Sequence, residues 1–207
     1  MESSFSSLLN SIVESDHSIF EWINQSTTNP VFDAIMPIIT DLHTFPLFWL
    51  ALISLAAVLL FRTASPLDRN ILLKKIGYFI LVTGLSMALA DMIAYRAIKV
   101  YVQRPRPEAA GLTVTLRTHS HSGWSFPSNH SANMFALARS IQLIAPAASL
   151  PIAGAYAFAS TVAFSRVYVG VHFPGDTLAG GTIGWLCATF VHFALGRLRR
   201  SRRSKSV

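Results

Sequence analysis

Five apolar runs, 45–61, 76–98, 128–145, 150–169 and 174–195, decide what this chain can fold into. A helix needs about 20 mainly apolar residues to cross a bilayer. Only 13% of the residues are charged and 52% are hydrophobic, whereas a soluble domain is about 25% charged. The expectation is an all-α integral membrane helical bundle of five transmembrane helices. It forms a single domain over 1–207, with 45–195 as the transmembrane core and 196–207 as a basic tail. In residues 1–44, Leu8, Leu9, Ile12, Ile19, Phe20, Trp22 and Ile23 recur at helical spacing but are interrupted by Ser, Asn and acids. Residues 30–40 form a second short amphipathic stretch. Both suit helices lying in the membrane interface, and a sixth span, if the bundle has one, comes from this segment.

The formal net charge of +7 would suit a nucleic-acid partner, but six of the seventeen basic residues fall in the last eleven positions. A basic tail after a hydrophobic helix marks a cytoplasmic end, and it attracts anionic lipid at about 1 kcal/mol per residue. No nucleic-acid partner is expected. The loop 62–75 adds four basic residues against one acid, and no lysine or arginine precedes Arg62. The positive-inside rule assigns the loop and the tail to the cytoplasm. The polar ends of the remaining spans then face outward with the N-terminus, as in a multi-pass protein of the bacterial cytoplasmic membrane. No cleavable signal peptide is expected. The single cysteine, Cys187, lies in the last run and reads as a packing residue.

Charges inside the apolar part carry the functional signal. The stretch 165–176 reads S-R-V-Y-V-G-V-H-F-P-G-D. An ionisable group at membrane depth costs about 2.5 to 3.5 kcal/mol on insertion scales, yet Arg166, His172 and Asp176 fall within a dozen residues. Pro174 and Gly175 break the run, so one helix ends near Gly170 and the next begins near Pro174. His172 is left at the junction. A histidine there, with a carboxylate to fix its tautomer and an arginine nearby, suits attack on an anionic phosphorus. Two further polar groups lie on the same face, K-V-Y-V-Q-R-P-R-P at 99–107 and F-P-S-N-H at 126–130. The connection 99–127 is long for a helical membrane protein, which points to function. His119 and His121 within it read as solvated, and no carboxylate cluster would hold magnesium. Neither metal nor cofactor is expected.

Taken in order, a lysine, six intervening residues and Arg-Pro, then Pro-Ser-x-His, then Ser-Arg followed by this histidine and aspartate, resemble the type-2 phosphatidic acid phosphatase family of lipid phosphate phosphatases. The resemblance implies Lys99, Arg106 and Arg166 as a phosphate clamp, His172 as nucleophile, Asp176 as its partner and His130 as the acid for the leaving group. Ser128 and Asn129 complete the cradle, and Arg104 assists or faces the headgroups. Phosphoryl-transfer chemistry agrees, because the transition state spreads negative charge over oxygens that arginine forks and a lysine stabilise. The family's usual glycine is replaced by Asn129, which tolerates unusual dihedrals and is expected to keep its backbone N–H on the phosphate.

The implied function is hydrolysis of a lipid-linked phosphate through a phosphohistidine, with undecaprenyl diphosphate first. Phosphatidylglycerophosphate, phosphatidic acid and the lipid A phosphate are rivals. Transfer to an acceptor alcohol and vanadate-dependent haloperoxidase chemistry are alternatives, although the haloperoxidases are soluble. A non-catalytic protein that binds or transports lipid phosphate would lack a histidine, and both are present. Two charges remain, Asp91 eight residues before Lys99 and Arg139 nine after His130. At 1.5 Å per residue they lie about 12 and 13.5 Å below the site, so they are expected to meet as an ion pair.

Overall fold

The computed structural model describes residues 2–42, 54, 69–119 and 122–204. The expected first span, 45–61, lies outside them except for residue 54. Helix α1 (Glu2–Glu21) runs into a π-helical turn, Trp22–Ser26. Helix α2 (Pro30–Asp41) starts where Asn29 caps it. The Asn29 Oδ1 accepts the Phe32 N–H at 2.9 Å, and Pro30 occupies the first helical position. Both helices are amphipathic. Leu8, Leu9 and Ile12 on α1, and Val31, Ile35 and Ile38 on α2, stay unburied by protein, the stripe that an interfacial helix offers to lipid. Their inner residues Phe20, Ile23 and Met36 pack on Val167, Tyr168, Val171 and Phe173.

Helix α3 (Arg69–Asp91) continues through a π-helical segment, Met92–Ile98, into Lys99–Val102. Gln103, left-handed at φ 48°, turns the chain out of the helix. Then follow α4 (Asn129–Ile144), α5 (Ser149–Tyr168) and α6 (Pro174–Ser204). The starts and ends of α4 and α5 agree with the expected runs. Helix α6 continues nine residues beyond the expected 195, into the basic tail, where the Arg199 guanidinium lies 3.8 Å over the Tyr78 ring of α3. Cations in the last turns also suit the negative end of the helix dipole. Among the described helices, two are long and apolar enough to cross a membrane, Leu73–Ala109 and Pro174–Arg199.

What holds the bundle at the right spacing is a pair of glycines. A Cβ at Gly180 would collide with the Ser128 carbonyl oxygen, and one at Gly184 with the Ala132 carbonyl oxygen. Ser128, which caps α4, and Ala132 within it therefore face Gly180 and Gly184 on α6, small residue against small residue at a spacing of four. This is how helix backbones approach closely in lipid, where the hydrophobic effect gives no drive to associate. A second core joins α3, α4 and α5 through Phe79, Met134, Leu137, Ile141, Ala159 and Val162.

The expected Asp91–Arg139 ion pair does not form. Asp91 accepts from the side chains of Asn129 and Asn133. Arg139 donates to Thr189 Oγ1 at 3.0 Å and Gln142 Oε1 at 2.8 Å, and lies 4.2 Å over the Trp185 ring. Depth was only one of two coordinates. At 3.6 residues per turn, Arg139 sits about a quarter turn round α4 from Asn129 and a third from Asn133, so it faces α6 while the two amides face α3.

Candidate active site

The site is built on the break between α5 and α6. Gly170, at φ +90°, ends α5, and a Cβ there would sit 2.8 Å from Val114 Cγ1. Glycine is required by conformation and by space. Three residues on, the Phe173 N–H donates to Asp176 Oδ2 at 2.9 Å, a carboxylate in the first turn of α6 reaching back over the helix start. The same oxygen lies 3.3 Å from His172 Nδ1. The other oxygen accepts Arg104 Nη1 at 2.8 Å, and Asp176 is fully buried. A carboxylate against Nδ1 places the imidazole proton there and leaves the lone pair on Nε2.

Nε2 is directed at the cations. Arg106 Nη1 lies 3.5 Å from it, with the guanidinium held by the Val171 carbonyl at 2.8 Å and the Gly123 carbonyl at 3.1 Å. Lys99 Nζ donates to the Trp124 carbonyl at 2.9 Å. Arg166 is 1% exposed; its Nη1 donates to Thr40 Oγ1 at 2.8 Å, and its Nε is buried without a partner. Ser128, immediately before α4, has its hydroxyl buried without a partner. Its N–H donates to the Asp176 carbonyl at 2.9 Å, which ties the start of α4 to the start of α6. Three cations that repel one another, together with two buried donors lacking acceptors, make a place for an anion.

The remaining expected residues separate by function. His130, in the first turn of α4, lines a cavity of about 190 Å³ with Asp91, Asn129, Asn133, Met134 and Val162. The Asn129 side chain points away from the cations, donating to Asp91 Oδ1 at 2.7 Å. Arg104 is engaged by two carboxylates. It bridges Asp176 to Asp16 Oδ2 at 2.7 Å and lies 4.0 Å over the Phe173 ring.

Asp16 is the residue that sequence reasoning missed. Its Oδ1 also accepts the Gly175 N–H at 2.7 Å, so α1 holds both the start of α6 and the arginine that holds Asp176. A signal existed. No lysine or arginine precedes Arg62, so every acid in residues 1–44 must look far along the chain for a cation. Asp16 finds Arg104, Asp33 finds Arg117 at 2.6 Å, and Asp41 lies 3.9 Å from Arg166. The Tyr168 hydroxyl on Asp33, at 2.6 Å, and Arg117 hold the Asp33 carboxyl below its ordinary range. Asn24, fully buried, fastens the same layer by donating to the Thr115 and Tyr168 carbonyls.

The arrangement has relatives. The lipid A 4'-phosphatase of Bacteroides thetaiotaomicron is 30% identical over 130 residues, 58% of this chain and 57% of that protein, so this match spans just over half the relative's length. Undecaprenyl-diphosphatase BcrC of Bacillus subtilis is 29% identical over 186 residues, 89% of this chain and 86% of the relative. The crystal structure of the first transmembrane PAP2 type phosphatidylglycerolphosphate phosphatase from Bacillus subtilis superposes with a TM-score of 0.60 at 26% identity, covering 91% of this chain and 88% of that one. Residues 78–200, which carry all three charged motifs and the close α4–α6 contact, match the PAP2 superfamily as a whole, and the chain belongs to it.

Proposed function

We propose that this protein is a membrane phosphatase that hydrolyses a lipid-linked phosphate through a phosphohistidine. The observation that carries the reading is His172, its Nδ1 on Asp176 and its Nε2 turned to Arg106 beside Lys99 and Arg166. Lys99, Arg106 and Arg166 neutralise the phosphate oxygens, with the Ser128 hydroxyl and the Asn129 backbone N–H at the positive end of α4. His172 Nε2 attacks phosphorus in line. As the P–N bond forms, the P–O bond to the leaving group breaks, and the leaving oxygen takes its electron pair and a proton from His130. Water then attacks the phosphohistidine, gives a proton back to His130 and frees phosphate and His172.

Undecaprenyl diphosphate is the first lipid to try, on the strength of the relative that aligns over 89% of this chain. Phosphatidylglycerophosphate, phosphatidic acid and lipid A carry the same reacting group, which the clamp residues read without reading the lipid. The test is phosphate release from these four lipids by purified protein, with rapid quenching to trap the enzyme. The expected result is release from at least one lipid and a phosphoenzyme that is acid-labile and base-stable. Turnover of none, or a phosphoenzyme with the opposite lability, overturns the reading.

The same reading places the site on the outer face of a bacterial cytoplasmic membrane and the C-terminus inside, supported by the basic 62–75 loop and tail. Cys187 is buried, so single added cysteines report cleanly. In intact cells a membrane-impermeant thiol reagent is expected to label Ser122→Cys and not Ser204→Cys. The reverse pattern would refute the orientation.

A further inference from the structure

The cavity beside His130 contains a charge that the reaction above leaves unused. Asp91 Oδ1 accepts Asn129 Nδ2 at 2.7 Å, and its two oxygens lie 3.5 and 3.4 Å from Asn133 Nδ2. Both amides turn their N–H groups to the carboxylate and their carbonyl oxygens away. Those two oxygens are buried without partners. Asn129 precedes His130 and Asn133 follows it by three, so all three lie along one side of α4. A carboxylate on α3 therefore grips α4 on either side of the histidine, within the cavity that the histidine lines.

The make-up of that cavity gives this placement a consequence. Lys99, Arg106, Arg166, His172 and Asp176 do not line it. Asp176 is occupied by Arg104 and His172. Asp91 is the one carboxylate among the residues lining the His130 cavity, and its charge also acts on Lys99. A histidine of ordinary pKa, about 6.5, is mostly neutral at pH 7. A carboxylate lining the same cavity favours the imidazolium that a general acid must be.

We propose that Asp91 is a positioning residue for the leaving-group acid. Through Asn129 and Asn133 it fixes the rotation of α4 that presents His130, and its charge favours the imidazolium of the histidine that shares its cavity. The inference rests on His130 being the acid.

The experiment compares Asp91→Asn and Asp91→Glu with the unaltered protein, on an alkyl lipid phosphate and on an activated aryl phosphate whose leaving group needs no proton. An acid contributes about 10² to 10⁴ in rate. Asp91→Asn is expected to lose roughly tenfold or more in kcat on the lipid beyond its loss on the aryl ester. The basic limb of its kcat profile is expected to move to lower pH by about one unit, since the acid loses its proton sooner. Asp91→Glu is expected to recover most of both. The position of the limb and the ratio of the two rates do not depend on how much protein is folded, so a destabilised variant still answers. An unmoved limb, or equal losses on the two substrates, makes Asp91 interhelical glue and overturns the proposal. His130→Ala in parallel separates the two ideas. If it too loses equally on both substrates, the acid assignment falls. If it discriminates and Asp91→Asn does not, only the role of Asp91 falls.

Discussion

Replacing His172 by alanine is expected to cut phosphate release by about 10⁴-fold or more, the scale of loss when a covalent hydrolase is deprived of its nucleophile. The variant is expected to form no phosphoenzyme and to unfold within a few degrees of the unaltered protein. His172 is 2% exposed, but its neighbours hold one another without it. Asp176 keeps the Arg104 guanidinium and the Phe173 N–H, and Arg106 keeps the Val171 and Gly123 carbonyls. The clamp therefore survives and inorganic phosphate should still bind. Phosphate release within about tenfold of normal by the variant would show that the attacking group is another one.

The second large effect lies at an uncharged contact between two helices. Gly184→Val is expected to destabilise the protein by at least the upper end of the ~1–3 kcal/mol typical of overpacking. The clash is with the Ala132 backbone of α4, and a backbone carbonyl cannot swing aside as a flexible side chain can. Forcing α6 away from α4 also stretches the Ser128 N–H···Asp176 bond of 2.9 Å, so activity should fall more steeply than the folded fraction. Gly154→Ala is the control. A Cβ there meets nothing within 4 Å, and alanine gains about 1 kcal/mol of helix propensity over glycine. Equal effects of the two variants in thermal unfolding would show that the α4–α6 approach is not what the glycines serve.

Much of this was legible in the sequence because the signals are local. Apolar runs announce α4 and α5 nearly to the residue, and Pro174-Gly175 announces the break that carries His172. Buried charge singles out Arg166, Arg106 and Lys99, which have no reason to be expensive without a use, as the proposed clamp. What was not legible was azimuth. Sequence spacing gives the depth of Asp91 and of Arg139, but not the rotation of α4 against α3 and α6, and that rotation decides that Asp91 meets Asn129 rather than Arg139. The π-helical segment Met92–Ile98 compounds this, because it changes the residues per turn between Asp91 and Lys99. The spacing from Lys99 singled out Arg106, but it could not show that Arg104 serves Asp176, because the second half of that bridge is Asp16, 88 residues earlier. The Gly180 and Gly184 pair was readable as a small-residue spacing of four, and only its partner surface on α4 needed the structure.

The Asp16 contacts bear on the order in which the protein can be made. Asp16 belongs to α1, and Gly175, whose N–H it accepts, lies 159 residues later in α6. During synthesis Arg104 precedes Asp176 by 72 residues. Until α6 arrives, Asp16 can hold Arg104, so this early acid can serve as its counter-ion before Asp176 joins the bridge. His172 acquires the Asp176 carboxylate only when α6 is in place. On the proposed mechanism, a nascent chain without α6 lacks the group that orients His172 for attack, so hydrolytic competence waits for that helix.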